Sequence, residues 1–303
     1  MTDAVKGQNG LDRNQGPPVG PGEVGETPPF LQSALRVFDL SLSQMLWSRR
    51  TIFMLLVVGG PVIVAFTLRA LVLVGLFEGD VDGPALMRGS DLFGLMFWVF
   101  YLGISVPLLG LFYGTALIAD EVEEKTITYL FTRPISRGAV LIGKYLAYLV
   151  CTGLVVLPSL MIVFFLVMPL LGGSIGAGFP DLLKDLGLLA VGLAVYGAVF
   201  ALVGAALKRP LLIGLVFIFG WEPGMLVVPG YMKRFTVRYY MQGLAPHSMP
   251  ADDSVLGSVL AFLQSAEVIP STVTSLAGLG IILVGGLALA VWLVERREYV
   301  LEQ

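Results

Sequence analysis

Long apolar stretches dominate this sequence and constrain its fold more than any other feature. Six of them are long enough to cross a bilayer, which takes about 20 apolar residues in a helix. They cover approximately residues 52–77, 93–118, 140–171, 183–207, 211–229 and 273–294. Inside a bilayer every backbone N–H and C=O needs an internal partner, and the sequence lacks the short alternating strands of a barrel. The sequence therefore predicts an all-α integral membrane protein with six transmembrane helices.

Composition points to the same class. Hydrophobic residues make up 56% of the chain and charged residues 14%, whereas soluble domains average about 45–50% and about 25%. The net charge of −3 gives none of the basic excess that is typical of nucleic-acid-binding proteins.

The remaining segments divide the chain further. Residues 1–29 are rich in Gly and Pro and contain no apolar run, which predicts a disordered cytoplasmic tail. Residues 30–303 then form a single transmembrane domain. Its first part, 30–50, predicts an amphipathic helix in the membrane interface or, alternatively, a polar extension of the first span. The apolar face of that helix comprises Leu31, Leu35, Phe38, Leu42, Met45 and Leu46.

Lysine and arginine residues predict the orientation of the spans. With the N-terminus inside, thirteen of the nineteen fall on the cytoplasmic side, as the positive-inside rule requires. We therefore expect a multi-pass protein of the cell (plasma or inner) membrane with both termini in the cytoplasm. Residues 119–139 then form a cytoplasmic loop, and residues 230–272 form an outer loop.

The residues predict no catalytic, cofactor or metal site, and hence no enzyme activity of the chain by itself. His247 is the only histidine and Cys151 the only cysteine, too few for a zinc site or a Cys–His pair. The segment GAVLIGKY resembles a phosphate-binding loop, but Tyr145 stands where a Ser or Thr must bind Mg²⁺.

A charged segment separates the second and third apolar stretches. It reads DEVEEKTITYLFTRPISRGAVLIGK, from Asp120 to Lys144. Acidic residues at its start suit a helix N-terminus, and Pro134 ends such a helix at Arg133. From the residues alone, the segment is either a short amphipathic helix under the membrane or a solvated loop.

The order of residues in this segment resembles the cytoplasmic loop of permease subunits in ABC-2 type transporters. An acidic run, a Thr, a Leu, the sequence RPISR and a Gly-Lys pair follow one another. The matching positions are Glu121, Glu123, Glu124, Thr126, Leu130, Arg133–Arg137, Gly143 and Lys144. The elbow-like helix, the six spans and the long outer loop extend the resemblance over the whole chain. Lys125 departs from it, since many members carry Gly there.

The resemblance implies a type V exporter-like fold and a mechanical function. In the family this loop is a coupling helix that docks on a separate cytoplasmic ATPase subunit, which uses ATP and Mg. Two permeases, in a homo- or heterodimer, then rock between inward- and outward-open states. We expect Val122 and Tyr129 to anchor the docking, within a rim of charged groups. The coupling residues are thus Glu121, Val122, Glu123, Glu124, Thr126, Tyr129, Arg133 and Arg137.

Two further features carry hypotheses. Gly110 and Gly114 in the sequence GLFYG have the spacing of close helix contacts, either between two permeases or within one bundle. Glu222, near the end of the fifth stretch, is predicted at the outer interface. There it either lines an exit gate or simply ends the helix facing water.

Three functions remain possible from the sequence, with an exporter permease first. The second is a non-transporting membrane anchor that transmits motion from the same kind of ATPase. The third is an ion-driven carrier, which would need acids deep in its spans, where the sequence offers marginal ones such as Asp91 and Glu222.

Overall fold

The computed structural model describes residues 30–47, 49–75, 88–118, 137–170, 173–227, 231–245 and 270–296. Every regular element within these ranges is helical. In chain order they are α1 (Phe30–Leu46), α2 (Arg49–Leu73), α3 (Gly89–Ile118), α4 (Arg137–Val167), α5 (Ile175–Ala206), α6 (210–227), α7 (Val237–Gln242) and α8 (Thr272–Arg296). A 3₁₀ turn, Tyr231–Phe235, joins the outer end of α6 to α7.

Five of these helices are long and apolar enough to cross a membrane, namely α2, α3, α4, α5 and α8. Each corresponds to one predicted span. The sixth predicted span, 211–229, differs, because its apolar helix Pro210–Met225 is shorter. At 1.5 Å per residue such a helix rises about 24 Å, less than the hydrocarbon core of about 30 Å.

Helices α3, α4 and α5 form the centre of the bundle. α4 packs against α1, α2, α3 and α5, while α5 also contacts α3, α6, α7 and α8. Among the five long helices, the peripheral helices α2 and α8 are the least buried. Their large apolar side chains remain exposed, as expected for helices that face lipid. Examples are Ile52, Leu56, Phe66, Val273, Ile281 and Val284.

Tyrosine hydroxyl groups join the central helices inside the bundle. Tyr145 and Tyr148 of α4 donate hydrogen bonds of 2.7 and 2.8 Å to the carbonyl oxygens of Ala194 and Leu193 of α5. Tyr101 of α3 bonds Ser159 of α4 at 2.6 Å. Each bond satisfies a polar group that would otherwise be costly in an apolar interior.

Helix α1 packs on α4 through small residues. Ser33, Ala34 and Ser41 are buried, and an added Cβ at Gly143 of α4 would lie 2.5 Å from the Ala34 carbonyl oxygen. The predicted apolar face of α1 contributes less to this contact, since Leu31 is 69% exposed. The close approach of α1 to α4 favours small residues at the contact. The exposed leucines of α1 remain available to contact another apolar environment.

Glycines stand at the end of α2 and at the start of α3. Gly75 follows α2 with a φ of 76°, a left-handed conformation that ends a helix and suits glycine. Gly89 begins α3 directly against the last turn of α4. A Cβ on Gly89 would lie 2.5 Å from the Met168 carbonyl oxygen and 2.6 Å from that of Leu170.

We expect Gly89→Ala to destabilise the folded protein by about 1–3 kcal/mol, the usual cost of overpacking. Backbone carbonyls cannot rotate away as a side chain can, so α3 must shift from α4. The free energy of unfolding in detergent micelles measures this effect. Gly153→Ala in α4 is the matched control, because its Cβ meets no atom within 4 Å. It should be neutral or slightly stabilising, and an equal loss in both variants would contradict the packing argument.

Candidate functional site

The predicted coupling loop joins α3 to α4. Seven of its eight predicted coupling residues lie outside the described residues: Glu121, Val122, Glu123, Glu124, Thr126, Tyr129 and Arg133. The eighth, Arg137, is the first residue of α4.

The start of α4 lies beside the first and last helices of the described chain. An added Cβ at Gly138 would be 2.9 Å from the Glu295 Oε1 and Val291 Cγ1 atoms of α8, and 3.7 Å from the ring of Phe30 in α1. The beginning of α1, the beginning of α4 and the end of α8 therefore meet at one end of the bundle.

Helix α3 lies unusually close to α5 along its last turns. An added Cβ at Gly110 would be 2.7 Å from Tyr196 Cβ, and one at Gly114 would be 3.0 Å from the Gly197 carbonyl oxygen. Farther along, a Cβ at Gly204 would be 2.6 Å from the Thr115 carbonyl oxygen. Glycine at these positions lets the two backbones approach without a clash.

The glycine seam packs within the bundle of this chain. Gly110 and Gly114 are both buried, and they face α5 of the same chain. This contact matches one of the two alternatives for these glycines, close packing within one bundle. A permease dimer contact at Gly110 and Gly114 stays a prediction.

Glu222 lies in the interior of the bundle, with only 3% of its surface exposed. Its carboxylate accepts a short hydrogen bond from the hydroxyl group of Tyr196 of α5. It also accepts one of 3.1 Å from the backbone N–H of Val237. Arg238 contributes its backbone N–H and a nearby positive charge.

These contacts make Glu222 a cap for α7. The first N–H groups of a helix have no partner within it, and a carboxylate at that end also suits the helix dipole. Thr236 supplies the second cap, accepting a bond from the Tyr239 N–H at 3.4 Å. Two side chains thus fix the start of α7, one from α6 and one from α7's own N-cap position.

A π-helical turn directs Glu222 inward. Residues Phe217–Trp221 form this turn immediately before Glu222. The π-helical turn is wider than an α-helical one, so it changes which face the following residue presents. Phe219 and Trp221 remain 57% and 41% exposed, whereas Glu222 is turned toward α5.

The positions of Glu222 and Tyr196 along their helices explain why they meet. Tyr196 lies about ten residues before the end of α5 at Ala206, which is about 15 Å along the helix. Glu222 lies about twelve residues after the start of α6 at Pro210, or about 18 Å. The two side chains therefore meet inside the bundle, and the outer-interface position of Glu222 stays a prediction.

Nothing in the sequence pattern indicates Tyr196 as a site residue. It lies in an apolar run, LAVYGAVF, where a tyrosine reads as ordinary core. A second buried acid, Asp185 in α5, also went unremarked. Within the ranges that the structure describes, no three His, Cys, Asp or Glu side chains are grouped as a metal site would require.

Comparison with known proteins agrees with the helical architecture. A family model described as ABC-2 family transporter protein matches residues 37–299. A search of curated proteins found no match. The match spans every long helix from α2 to α8 and includes the charged segment between α3 and α4. This chain is a membrane protein that belongs to the ABC-2 transporter family.

Proposed function

We propose that this chain is the permease subunit of an ATP-binding cassette exporter and that a separate cytoplasmic ATPase subunit drives it. The observation that carries the proposal is the family match over residues 37–299. The chain offers no nucleotide-binding loop of its own, so ATP and Mg would be used by the partner. It would function as a pair of permeases, in a homo- or heterodimer.

The position of the coupling loop supports this function. Its sequence joins Ile118, the last residue of α3, to Arg137, the first of α4. That end of the bundle also contains the start of α1 and the end of α8. The Lys and Arg bias assigns this end to the cytoplasm, where an ATPase is available. In the proposed mechanism, ATP-driven closure of two ATPases pushes the loops and moves α3 and α4.

We expect Glu121→Lys and Tyr129→Ala each to reduce co-purification of an ATPase subunit by at least about tenfold. Removing an interface anchor commonly costs 2 kcal/mol or more, and a reversed rim charge repels the partner. The measurement is affinity purification from native membranes in mild detergent, with mass spectrometry to detect a protein carrying a G-x-x-x-x-G-K-[ST] loop.

Two matched controls lie in the part of the chain predicted to face outward. Lys184→Glu reverses an exposed charge that pairs with Asp181 at 2.8 Å. Tyr231→Ala removes a tyrosine that is 75% exposed. Both should retain the ATPase. Purification of the wild-type chain without any ATPase, or equal losses in variants and controls, would contradict the proposal.

The burial of Glu222 gives the ion-driven carrier one supporting observation, because a buried acid inside a membrane protein is a common element of ion pathways. Its bonds to Tyr196 and to the start of α7 instead favour a role in holding protein segments together. The carrier would be favoured if the chain, with no ATPase present, carries out uptake driven by an ion gradient and Glu222→Gln abolishes that uptake. ATPase binding with no transport of any cargo would favour the non-transporting anchor.

A further inference from the structure

Tyr196 connects the two halves of the site that the structure describes. Its Cβ atom faces Gly110 of α3, and its hydroxyl group donates to Glu222 of α6. It is fully buried, and its ring stacks on Phe200 with centroids 6.3 Å apart. One side chain therefore contacts α3 on one side and the support of α7 on the other.

Helix α3 packs tightly on α5 in the turns that precede the predicted coupling loop. From Gly110 to Thr115, α3 packs on α5 at distances that leave no room for a Cβ at Gly110, Gly114 or Gly204. The last described residue of α3, Ile118, directly precedes the loop. Side chains in the seam cannot absorb a displacement of α3 at that end. Either α5 moves together with α3, or α3 slides along α5.

On its other side, Tyr196 is connected through Glu222 to α7. Glu222 fixes the start of α7 through Val237. From there α7 extends toward the start of α8, where Gly243 contacts Ser275 and Pro270. Tyr240 and Met241 fill the gaps over Gly278 of α8 and Gly192 of α5. Helix α7 thus occupies the space between α5 and α8 in the predicted outer half of the protein.

We propose that Tyr196, Glu222 and Val237 form a latch that keeps the outer half of the chain closed, and that α3 transmits motion to this latch through Gly110. Only the transmission rests on the proposed function. Tyr196 is a positioning residue in this scheme, since it acts by holding Glu222. When α3 moves, Tyr196 withdraws from Glu222, the carboxyl group loses the hydroxyl that positions it against Val237, and the space between α5 and α8 opens.

A thiol reporter at Val237 tests the latch directly. Val237→Cys is placed in a Cys151→Ala background, so it is the only thiol in the chain. Val237 is 3% exposed, and its reaction with a membrane-impermeant maleimide in right-side-out native vesicles should be slow. Tyr196→Phe should increase the labelling rate by about tenfold, since a hydrogen bond to a charged group is lost from the closed state only.

Tyr148→Phe is the matched control for the hydroxyl group. It also removes a buried tyrosine hydroxyl that bonds α5, through the Leu193 carbonyl at 2.8 Å, but it does not touch Glu222. Its labelling rate should stay at the reference value. If Tyr148→Phe accelerates labelling as much as Tyr196→Phe does, or if neither changes the rate, the latch does not exist.

Gly110→Ala tests the transmission through α3. The new Cβ displaces Tyr196, so labelling should increase as it does in Tyr196→Phe. Gly187→Ala, where a Cβ on α5 meets no atom within 4 Å, should leave the rate unchanged. An unchanged rate in Gly110→Ala would overturn the transmission through that residue.

Labelling in native membranes that contain the ATPase tests the latch and the proposed function separately. ATP and vanadate sealed inside the right-side-out vesicles should increase labelling of the reporter, and Glu121→Lys should abolish that increase while the effect of Tyr196→Phe persists. If ATP and vanadate change nothing but Tyr196→Phe still accelerates labelling, the latch is supported and the ATP-driven function is contradicted. If ATP and vanadate increase labelling equally in the presence of Tyr196→Phe and in its absence, the latch is overturned and the function stands.

Discussion

Gly204→Val is expected to destabilise the folded protein strongly. A Cβ at this position would lie 2.6 Å from the Thr115 carbonyl oxygen and 2.9 Å from its Cα atom. Both are backbone atoms of α3, which is in turn held by the Gly110 and Gly114 contacts on the same seam. Since no side chain can rotate away, the two central helices must separate, and the loss should be about 3 kcal/mol or more. That is a large part of a typical total stability of about 5–15 kcal/mol.

The yield of monodisperse protein in detergent and the free energy of unfolding both measure this loss. Gly187→Val is the control on the same helix, because Gly187 is exposed and a Cβ there meets no atom within 4 Å. It should change the free energy by less than about 1 kcal/mol. A folded Gly204→Val protein with the stability of the control would show that the α3–α5 seam tolerates a wider spacing.

Much of this architecture could be predicted from the sequence, because apolar length is a local property. The helices Arg49–Leu73, Arg137–Val167 and Thr272–Arg296 each contain most of a predicted span. The predicted span at 211–229 corresponds to α6 (210–227), whose apolar part Pro210–Met225 is shorter than the five long helices. Counting apolar residues does not show whether such a helix crosses the bilayer, so the sixth span stays a prediction.

The residues by which α1 packs on the bundle were harder to predict than the helix itself. Ser33, Ala34 and Ser41 are buried, and Leu42 and Met45 of the predicted apolar face are partly buried against the core. Leu31 and Leu35 of the same face are exposed. In a membrane protein lipid accepts large apolar residues, and close helix contacts select small ones. Periodicity therefore predicts the helix but not which of its residues contact the bundle.

The candidate site was predictable only in part. Glu222 could be singled out because a carboxylate in an apolar stretch is costly. Its partner Tyr196 is distant in sequence, and the two meet only because the π-helical turn Phe217–Trp221 rotates Glu222 toward α5. No residue pattern specifies that rotation. The coupling loop, in contrast, was predicted from the order of its residues, and that hypothesis awaits the ATPase co-purification experiment.

Glu222→Leu is expected to destabilise the folded protein by about 2–6 kcal/mol, because each of two buried donors left without an acceptor costs about 1–3 kcal/mol. The substitution leaves the Tyr196 hydroxyl and the Val237 N–H without their acceptor. These groups are buried inside the bundle, where water cannot replace the lost bonds. Glu222→Gln should cost less, because its amide oxygen still accepts one of them.

The free energy of unfolding of the two Glu222 variants and of Glu295→Leu decides the point. Glu295 is exposed at the end of α8, so its replacement by leucine should cost less than about 0.5 kcal/mol. If Glu222→Leu is as stable as Glu295→Leu, the carboxylate does not support α7, and the latch loses its physical basis. We expect the free energy of unfolding to be lowest for Glu222→Leu, intermediate for Glu222→Gln and highest for the wild type. That order would show that the buried acid is retained for the hydrogen bonds it accepts.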